Sequence, residues 1–224
     1  MKGRNKIMGT YATKYYQAID LIIKNYSLKE NLKILDVGIG TGQTTSLFKT
    51  KHNEVTGVDI VDRRVAQYSN NFDFQLEDGL ELSFKDESFD LVVSFDVIEH
   101  IENAGKFAGE MMRVLKVGGK ILIGTPSRLR ISSLVQMMLG KKITFPRYYG
   151  TSKELGDVVH VYEYTVEELK KMVEGYGANI LQARGFLLGM YLFGGKGQGF
   201  LQAPGFLTNF AQHLFVLGVK HTAG

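Results

Sequence analysis

The sequence predicts an α/β protein built on an open, mostly parallel sheet with helices on both faces. Short apolar runs alternate with segments of helical period, and glycines cluster directly after the first of those runs. The composition agrees: 224 residues, 44% hydrophobic and 22% charged, suffice for one core and are too apolar for a disordered chain. We expect a single domain over residues 1–224.

Residues 11–26 carry Tyr15, Ala18, Ile19, Ile22 and Ile23 at helical spacing, which predicts an amphipathic first helix. Lys33-Ile34-Leu35-Asp36-Val37-Gly38 reads as a strand ending in glycine. Residues 43–49 then turn as a helix, and Glu54-Val55-Thr56-Gly57-Val58-Asp59 forms the next strand. Strands at 72–76, 89–95 and 120–124 continue the series, with helices at 61–69 and 104–115 between them. Gly118-Gly119 suits the passage from helix to strand, because glycine reaches the positive φ that closes a helix.

Beyond Pro126 the rhythm stops. Residues 127–164 hold a Leu/Met-rich stretch (Leu134 to Leu139) and a basic-aromatic turn (Lys141, Lys142, Phe145, Arg147, Tyr148, Tyr149), without a clear strand. They read as an insertion after the fifth strand, lying over the sheet edge on the substrate side. Thr165-Val166-Glu167-Glu168 is a capping box that opens a helix running to Tyr176 and closing at Gly177. Residues 179–186 and 214–220 follow as two strands joined by a long glycine- and phenylalanine-rich connection.

Charge and cysteine usage exclude several classes. A net charge of +4 is far from the basic stripe that holds nucleic acid, and three cations among the aromatics of the insertion make a weak patch. The absence of cysteine removes disulfides, thiolate nucleophiles and Cys-ligated metals, and is compatible with the cytoplasm. No stretch approaches the roughly 20 apolar residues of a membrane span. We expect a soluble protein, with peripheral membrane contact available to the Leu/Met-rich stretch. The histidines at 52, 100, 160, 213 and 221 show no ligand spacing, so no metal site is expected.

The chemistry concentrates at Asp36-Val37-Gly38-Ile39-Gly40-Thr41-Gly42. A dinucleotide fingerprint would need glycine at 43, where Gln43 stands, and Asp36 would repel a pyrophosphate; a nicotinamide oxidoreductase is therefore disfavoured. Asp36, Asp59, Asp78 and Asp96 all fall at or just past the carboxyl ends of successive strands, where open parallel sheets bind ligands. Four acids in a positively charged chain suit a cationic ligand rich in hydrogen-bond donors. Asp59 follows the last loop glycine at close to the ~20-residue spacing from which an acid reaches ribose hydroxyls. S-adenosylmethionine, with its ammonium, sulfonium, ribose diol and adenine amine, meets these demands.

These residues resemble the class I S-adenosylmethionine-dependent methyltransferases. The matching stretches are Ile34 to Gly42, Val58-Asp59, Glu77-Asp78-Gly79, Phe89 to Ser94 and Leu115 to Lys120, in that order, and cover roughly residues 30 to 126. Asp96-Val97-Ile98-Glu99-His100-Ile101 is similar to the type 11 branch that includes the ubiquinone and menaquinone biosynthesis methyltransferases. The resemblance implies a doubly wound, Rossmann-like sheet of seven strands whose last strand is antiparallel. It also implies that Asp36 and the backbone of Gly38, Gly40 and Gly42 meet the methionine end of the cofactor. Asp59 would take the ribose hydroxyls, Ile60 would pack on the adenine, and Asp78 would accept from the adenine amine with Gly79 beside it. Phe95 and Asp96 would line the methionine side; Ile60 and Phe95 read equally as core.

Methyl transfer from a sulfonium asks the protein mainly for alignment and exclusion of water. A protic acceptor must also lose a proton, for which His100 and His160 are the candidate catalytic residues, each with a purely structural alternative. The expected activity is methyl transfer to a small-molecule acceptor of apolar character. The competing reading is a non-catalytic cofactor-binding module that presents its insertion to a protein partner.

Overall fold

A computed structural model describes residues 2–25, 31–148, 159–188 and 200–221, and excludes from description the side chains of 2–12, 148 and 200–201. In chain order, α1 spans Lys2–Asn25, β1 Lys33–Val37, β2 Glu54–Asp59, β3 Asp73–Leu76 and β4 Phe89–Phe95. Next come α2 at Ala104–Val114, β5 at Leu115–Pro126, α3 at Ile131–Met138, and the two-residue strands β6 at Arg147–Tyr148 and β7 at Val159–His160. The chain continues through α4 at Val166–Gly175, β8 at Ala178–Leu188, β9 at Phe200–Gln202 and β10 at His213–Lys220. The main sheet has the order β3-β2-β1-β4-β5-β10-β8-β9. Strands β1 to β5 pair in parallel, and β10 enters antiparallel between β5 and β8. Without the three-residue β9, this is the seven-stranded sheet with an antiparallel last strand that the sequence resemblance implies.

The central strands read as continuous apolar runs because both faces are covered. Side chains alternate across a strand, so Leu35 and Val37 pack with Phe107, Met111, Leu169 and Val173 beneath α2 and α4, whereas Ile34 joins the other face. There Ile34, Leu91 and Val93 meet Tyr15, Ala18, Ile19 and Ile22 of α1, together with Phe48 and Phe215. Fully burying one such large side chain contributes about 1.5–3 kcal/mol. Asn103 caps α2 by accepting from the Lys106 amide at 3.0 Å. The capping box of α4 forms as expected, with Glu168 Oε2 accepting from the Thr165 amide at 2.8 Å.

Four local expectations are corrected. Residues 43–49 form only a 3₁₀ turn over Thr45–Phe48, in which Thr45 turns its hydroxyl onto Asp36. No helix forms over 61–69: the Asp59 and Asp62 carboxylates accept from the Val61 and Arg64 amides, and exposed Val61 and Val65 give a helix no apolar face to bury. Gly118-Gly119 does not end a helix. Helix α2 runs straight into β5, and the glycines lie in a register break where Leu115 pairs with Phe89 and Lys120 with Leu91. The insertion contains strands after all, β6 and β7, paired antiparallel through Arg147 and His160.

The connection between the last two main strands also adds β9 to the sheet, pairing Phe186 with Gln202. Tyr26, Tyr149 and residues 189–199 of that connection lie outside the described residues. Among the described residues, no helix is long and apolar enough to cross a membrane.

Candidate active site

A cavity of about 450 Å³ opens at the carboxyl ends of β1, β2, β3 and β4. Its floor is the glycine loop after β1. The Gly38 and Ile39 amides both donate to the Val58 carbonyl, at 2.8 and 3.2 Å, which folds the loop across the end of β2. Gly38 has φ 84°, and a Cβ there would lie 2.3 Å from a Val97 methyl, so only glycine fits. Asp59 braces the same loop: its Oδ2 accepts from the Gly40 amide at 2.8 Å and its Oδ1 from the Val61 amide at 3.2 Å. The carboxylate is thereby oriented before any ligand arrives.

Of the residues expected at the site, Gly38, Gly40, Asp59, Ile60, Asp78, Gly79, Asp96 and His100 line this cavity. Ile60 is 54% exposed and forms an apolar lip. Asp78 holds its loop by accepting from the Leu80 amide at 2.9 Å. Gly79 lets the Phe107 ring approach, since a Cβ there would fall 2.6 Å from that ring. Asp96 has φ 55°, a left-handed conformation unusual for a residue with a side chain, and its Oδ1 lies 3.1 Å from Nε2 of buried His213. Desolvation works against its charge, but His213 and the Tyr15 hydroxyl outweigh it and hold the Asp96 carboxyl below its usual range.

Asp36, Gly42, Phe95 and His160 are not among the lining residues. Asp36 is 1% exposed and accepts from Thr45 Oγ1 at 2.8 Å. Burial pushes its carboxyl up to about 7, with the Asp59 charge adding and the Thr45 hydroxyl opposing. Gly42 packs against the Phe72 ring, and Phe95 lies between Phe48 and Phe215, with ring centroids 6.3 and 6.0 Å away.

The two histidines meet although 60 residues of sequence separate them. Their rings are 4.9 Å apart and nearly perpendicular, at 85°. His100 Nδ1 lies 2.7 Å from the Val159 carbonyl, and His160 Nδ1 lies 2.8 Å from Glu163 Oε1. Beside them is buried Glu99, whose Oε2 accepts from Thr125 Oγ1 at 2.9 Å while Oε1 sits 3.9 Å from His100 Nε2. Burial raises the Glu99 carboxyl well above its usual range, and the Asp96 charge adds to the effect. Polar atoms of Glu99, His100 and His160 lie within 4.8 Å of one another, a spacing that suits ligands of one cation.

Sequence reasoning missed Arg63, Glu77, Leu80, Val97, Ile101, Glu102 and Phe107, which also line the cavity. Glu77 and Val97 stand inside the stretches already singled out, so their neighbours were the available signal; Arg63 had none. Among the lining residues, Asp59, Glu77, Asp78, Asp96 and Glu102 face one arginine, Arg63. That donor set fits a ligand carrying positive charge and hydrogen-bond donors, as S-adenosylmethionine does. A second cavity of about 520 Å³ lies on the insertion between Met137, Ile143 and Phe145 and the basic Lys141 and Lys142.

Comparison with known proteins agrees with this geometry. Residues 35–123 match the methyltransferase domain family. A probable S-adenosylmethionine-dependent methyltransferase from Mycolicibacterium smegmatis is 30% identical over 67% of this chain and 59% of its own length. The mitochondrial ubiquinone biosynthesis O-methyltransferase of Rattus norvegicus is 28% identical over 70% of this chain and 47% of its own. The chain thus spans about half the length of the curated relatives it matches. A crystal structure from Thermotoga maritima, titled a possible histamine N-methyltransferase, superposes with a TM-score of 0.65 at 17% identity, covering 98% of this chain and 97% of that one. With the glycine loop, the acidic cavity and the sheet order all in place, residues 35–123 form a methyltransferase domain, and the chain is similar to the S-adenosylmethionine-dependent methyltransferases.

Proposed function

We propose that the protein transfers a methyl group from S-adenosylmethionine to a small-molecule acceptor of apolar character. The observation that carries this reading is the cavity at the strand ends, where five carboxylates and a glycine floor face a single arginine. When bound, S-adenosylmethionine supplies a methyl carbon whose bond to sulfur breaks with the electron pair staying on sulfur, so the acceptor's lone pair makes the new bond and a protic acceptor has one proton to shed.

Asp59, already held by two amides, presents its remaining lone pairs to the ribose hydroxyls. Ile60 covers one adenine face, and Asp78 accepts from the adenine amine beside Gly79. Gly38 and Gly40 bring bare backbone to the methionine end, and Asp96 offers its carboxylate there. Asp36, Gly42 and Phe95 support that end from behind, Asp36 through Thr45. The glycine loop and the Phe107 wall align the donor and exclude water. His100, on the cavity wall, and His160 behind it are the groups able to take a proton.

Calorimetry with S-adenosylmethionine tests the binding step: micromolar affinity is expected, and absence of heat, or tighter binding of NAD, refutes it. A panel of phenols, amines and thiols, followed by release of S-adenosylhomocysteine, then reads the acceptor. A second reading, a non-catalytic module that offers its insertion to a partner protein, is favoured by the exposed apolar end of α3, where Met138 is 86% exposed and Leu139, just past the helix, 72%. Turnover on any panel member removes it.

A further inference from the structure

Glu163 is wholly buried, yet both of its oxygens are used. Arg130, itself 5% exposed, grips it with both guanidinium nitrogens, Nη1 to Oε2 at 2.7 Å and Nη2 to Oε1 at 2.9 Å. His160 adds a third contact, Nδ1 to Oε1 at 2.8 Å. A buried ion pair is a poor source of stability, because an apolar pair of similar volume often does as well or better. Its value here lies in what it does to the imidazole. A carboxylate gripped by guanidinium accepts hydrogen bonds and donates none, so the hydrogen between the two residues belongs to Nδ1. Nε2 is left as the nitrogen with the lone pair.

The neighbouring histidine is held differently. His100 Nδ1 donates to the Val159 carbonyl, a neutral acceptor. A carbonyl fixes a tautomer as well as a carboxylate does, but a carboxylate also offsets the positive charge that appears once Nε2 takes a proton. Of two imidazoles 4.9 Å apart, one on the cavity wall and one directly behind it, His160 is therefore built to carry a proton. The titratable groups around it are Glu163, Glu99 and His100, with the Asp96 charge also acting on it, while Arg130 and Arg147 are held on Glu163.

We propose that Glu163, braced by Arg130, is a positioning residue that fixes His160 as the proton acceptor of methyl transfer, and that the acceptor therefore attacks through an O–H or N–H group. The inference rests on the methyltransferase reading above. Because His160 stands behind the cavity wall, the proton leaving the acceptor reaches its Nε2 through one bridging water and passes from there to solvent, and Glu163 keeps its charge throughout. Sequence spacing shows none of this, because residues 130 and 163 meet only when the insertion folds back on itself.

The test uses the full-length chain with ¹⁵N-labelled histidine. Two-bond ¹H–¹⁵N correlation spectra should show neutral His160 protonated at Nδ1 and bare at Nε2. In Glu163→Gln, the amide oxygen stays with Arg130 and its NH₂ turns to the imidazole, so the tautomer should switch to Nε2–H. On a protic acceptor found by the panel, Glu163→Gln and His160→Gln should each lose about 10²- to 10⁴-fold in kcat. The KM for S-adenosylmethionine should stay unchanged. Wild-type His160 protonated at Nε2, an unmoved tautomer in Glu163→Gln, or full kcat in either variant overturns the proposal. The wild-type spectrum decides even if a variant does not fold. Calorimetry separates the two readings: no binding of S-adenosylmethionine sinks the methyltransferase assignment, whereas binding with the wrong tautomer sinks only this one.

Discussion

Replacing Asp59 with alanine probes the site at its most constrained point. In the folded chain its carboxylate accepts from the Gly40 amide at 2.8 Å and the Val61 amide at 3.2 Å, and two further lone pairs face the cavity. Hydrogen bonds to a charged group contribute about 1.5–3 kcal/mol. Losing the ribose contacts should therefore weaken S-adenosylmethionine by roughly 10- to 150-fold, at 1.4 kcal/mol per factor of ten. The two backbone donors reopen to a partly hydrated loop, so the stability loss should stay near 1–2 kcal/mol, a melting shift of several degrees for a chain of this size. Asp59→Asn keeps acceptors for the loop while losing the charge, and should fall between wild type and alanine in affinity with little change in melting. Titration calorimetry at neutral pH, paired with circular dichroism melts, reads both quantities. If Asp59→Ala binds the cofactor within twofold of wild type while folded, the ribose assignment is wrong.

Asp36 sets a pH dependence of stability. Burial holds its folded carboxyl at about 7, against about 3.9 for an unperturbed aspartate, so between those pH values the folded chain keeps a proton that the unfolded chain releases. Stability should fall as pH rises across that window and level off above it, on the order of 4 kcal/mol in all. Asp36→Asn has nothing to titrate there, so its melting temperature relative to wild type should rise from pH 5 to pH 8; a constant gap would contradict the burial argument. Gly38→Ala forces alanine to φ 84° and against Val97, and should cost about 1–3 kcal/mol together with cofactor affinity; an unshifted melt would show that the loop is not confined. Thr165→Ala removes the α4 cap and should cost about 1 kcal/mol without touching cofactor affinity, because that helix end lies outside the cavity lining.

The sequence alone carried the sheet's first half, and for a local reason. In β1, β2 and β4 a run of apolar residues ends in glycine or aspartate, so the strand and the ligand-facing residue at its end are written within a few positions of each other. The capping box before α4 was equally local, since both partners lie within one helical turn. Helicity at 61–69 could not be settled this way. The aspartates that divert its amides only decide the matter once Val61 and Val65 prove to have no surface to cover.

Within the site, the residues that line the cavity were legible where they sit at strand ends, as Asp59, Asp78 and Asp96 do. Those that act from behind were not. Asp36 shares the motif but turns inward to Thr45, a direction set by how the 3₁₀ turn packs. Two unrelated-looking histidines became a pair because the insertion lays β7 beside the turn after β4, where the Val161 and Tyr162 amides donate to the Glu99 carbonyl. Sequence thus determined what happens within one element, where neighbours along the chain set conformation and exposure. Only the tertiary structure decided which buried charges oppose each other across 30 or more residues, since such partners share no local pattern and are selected by desolvation once the layers close.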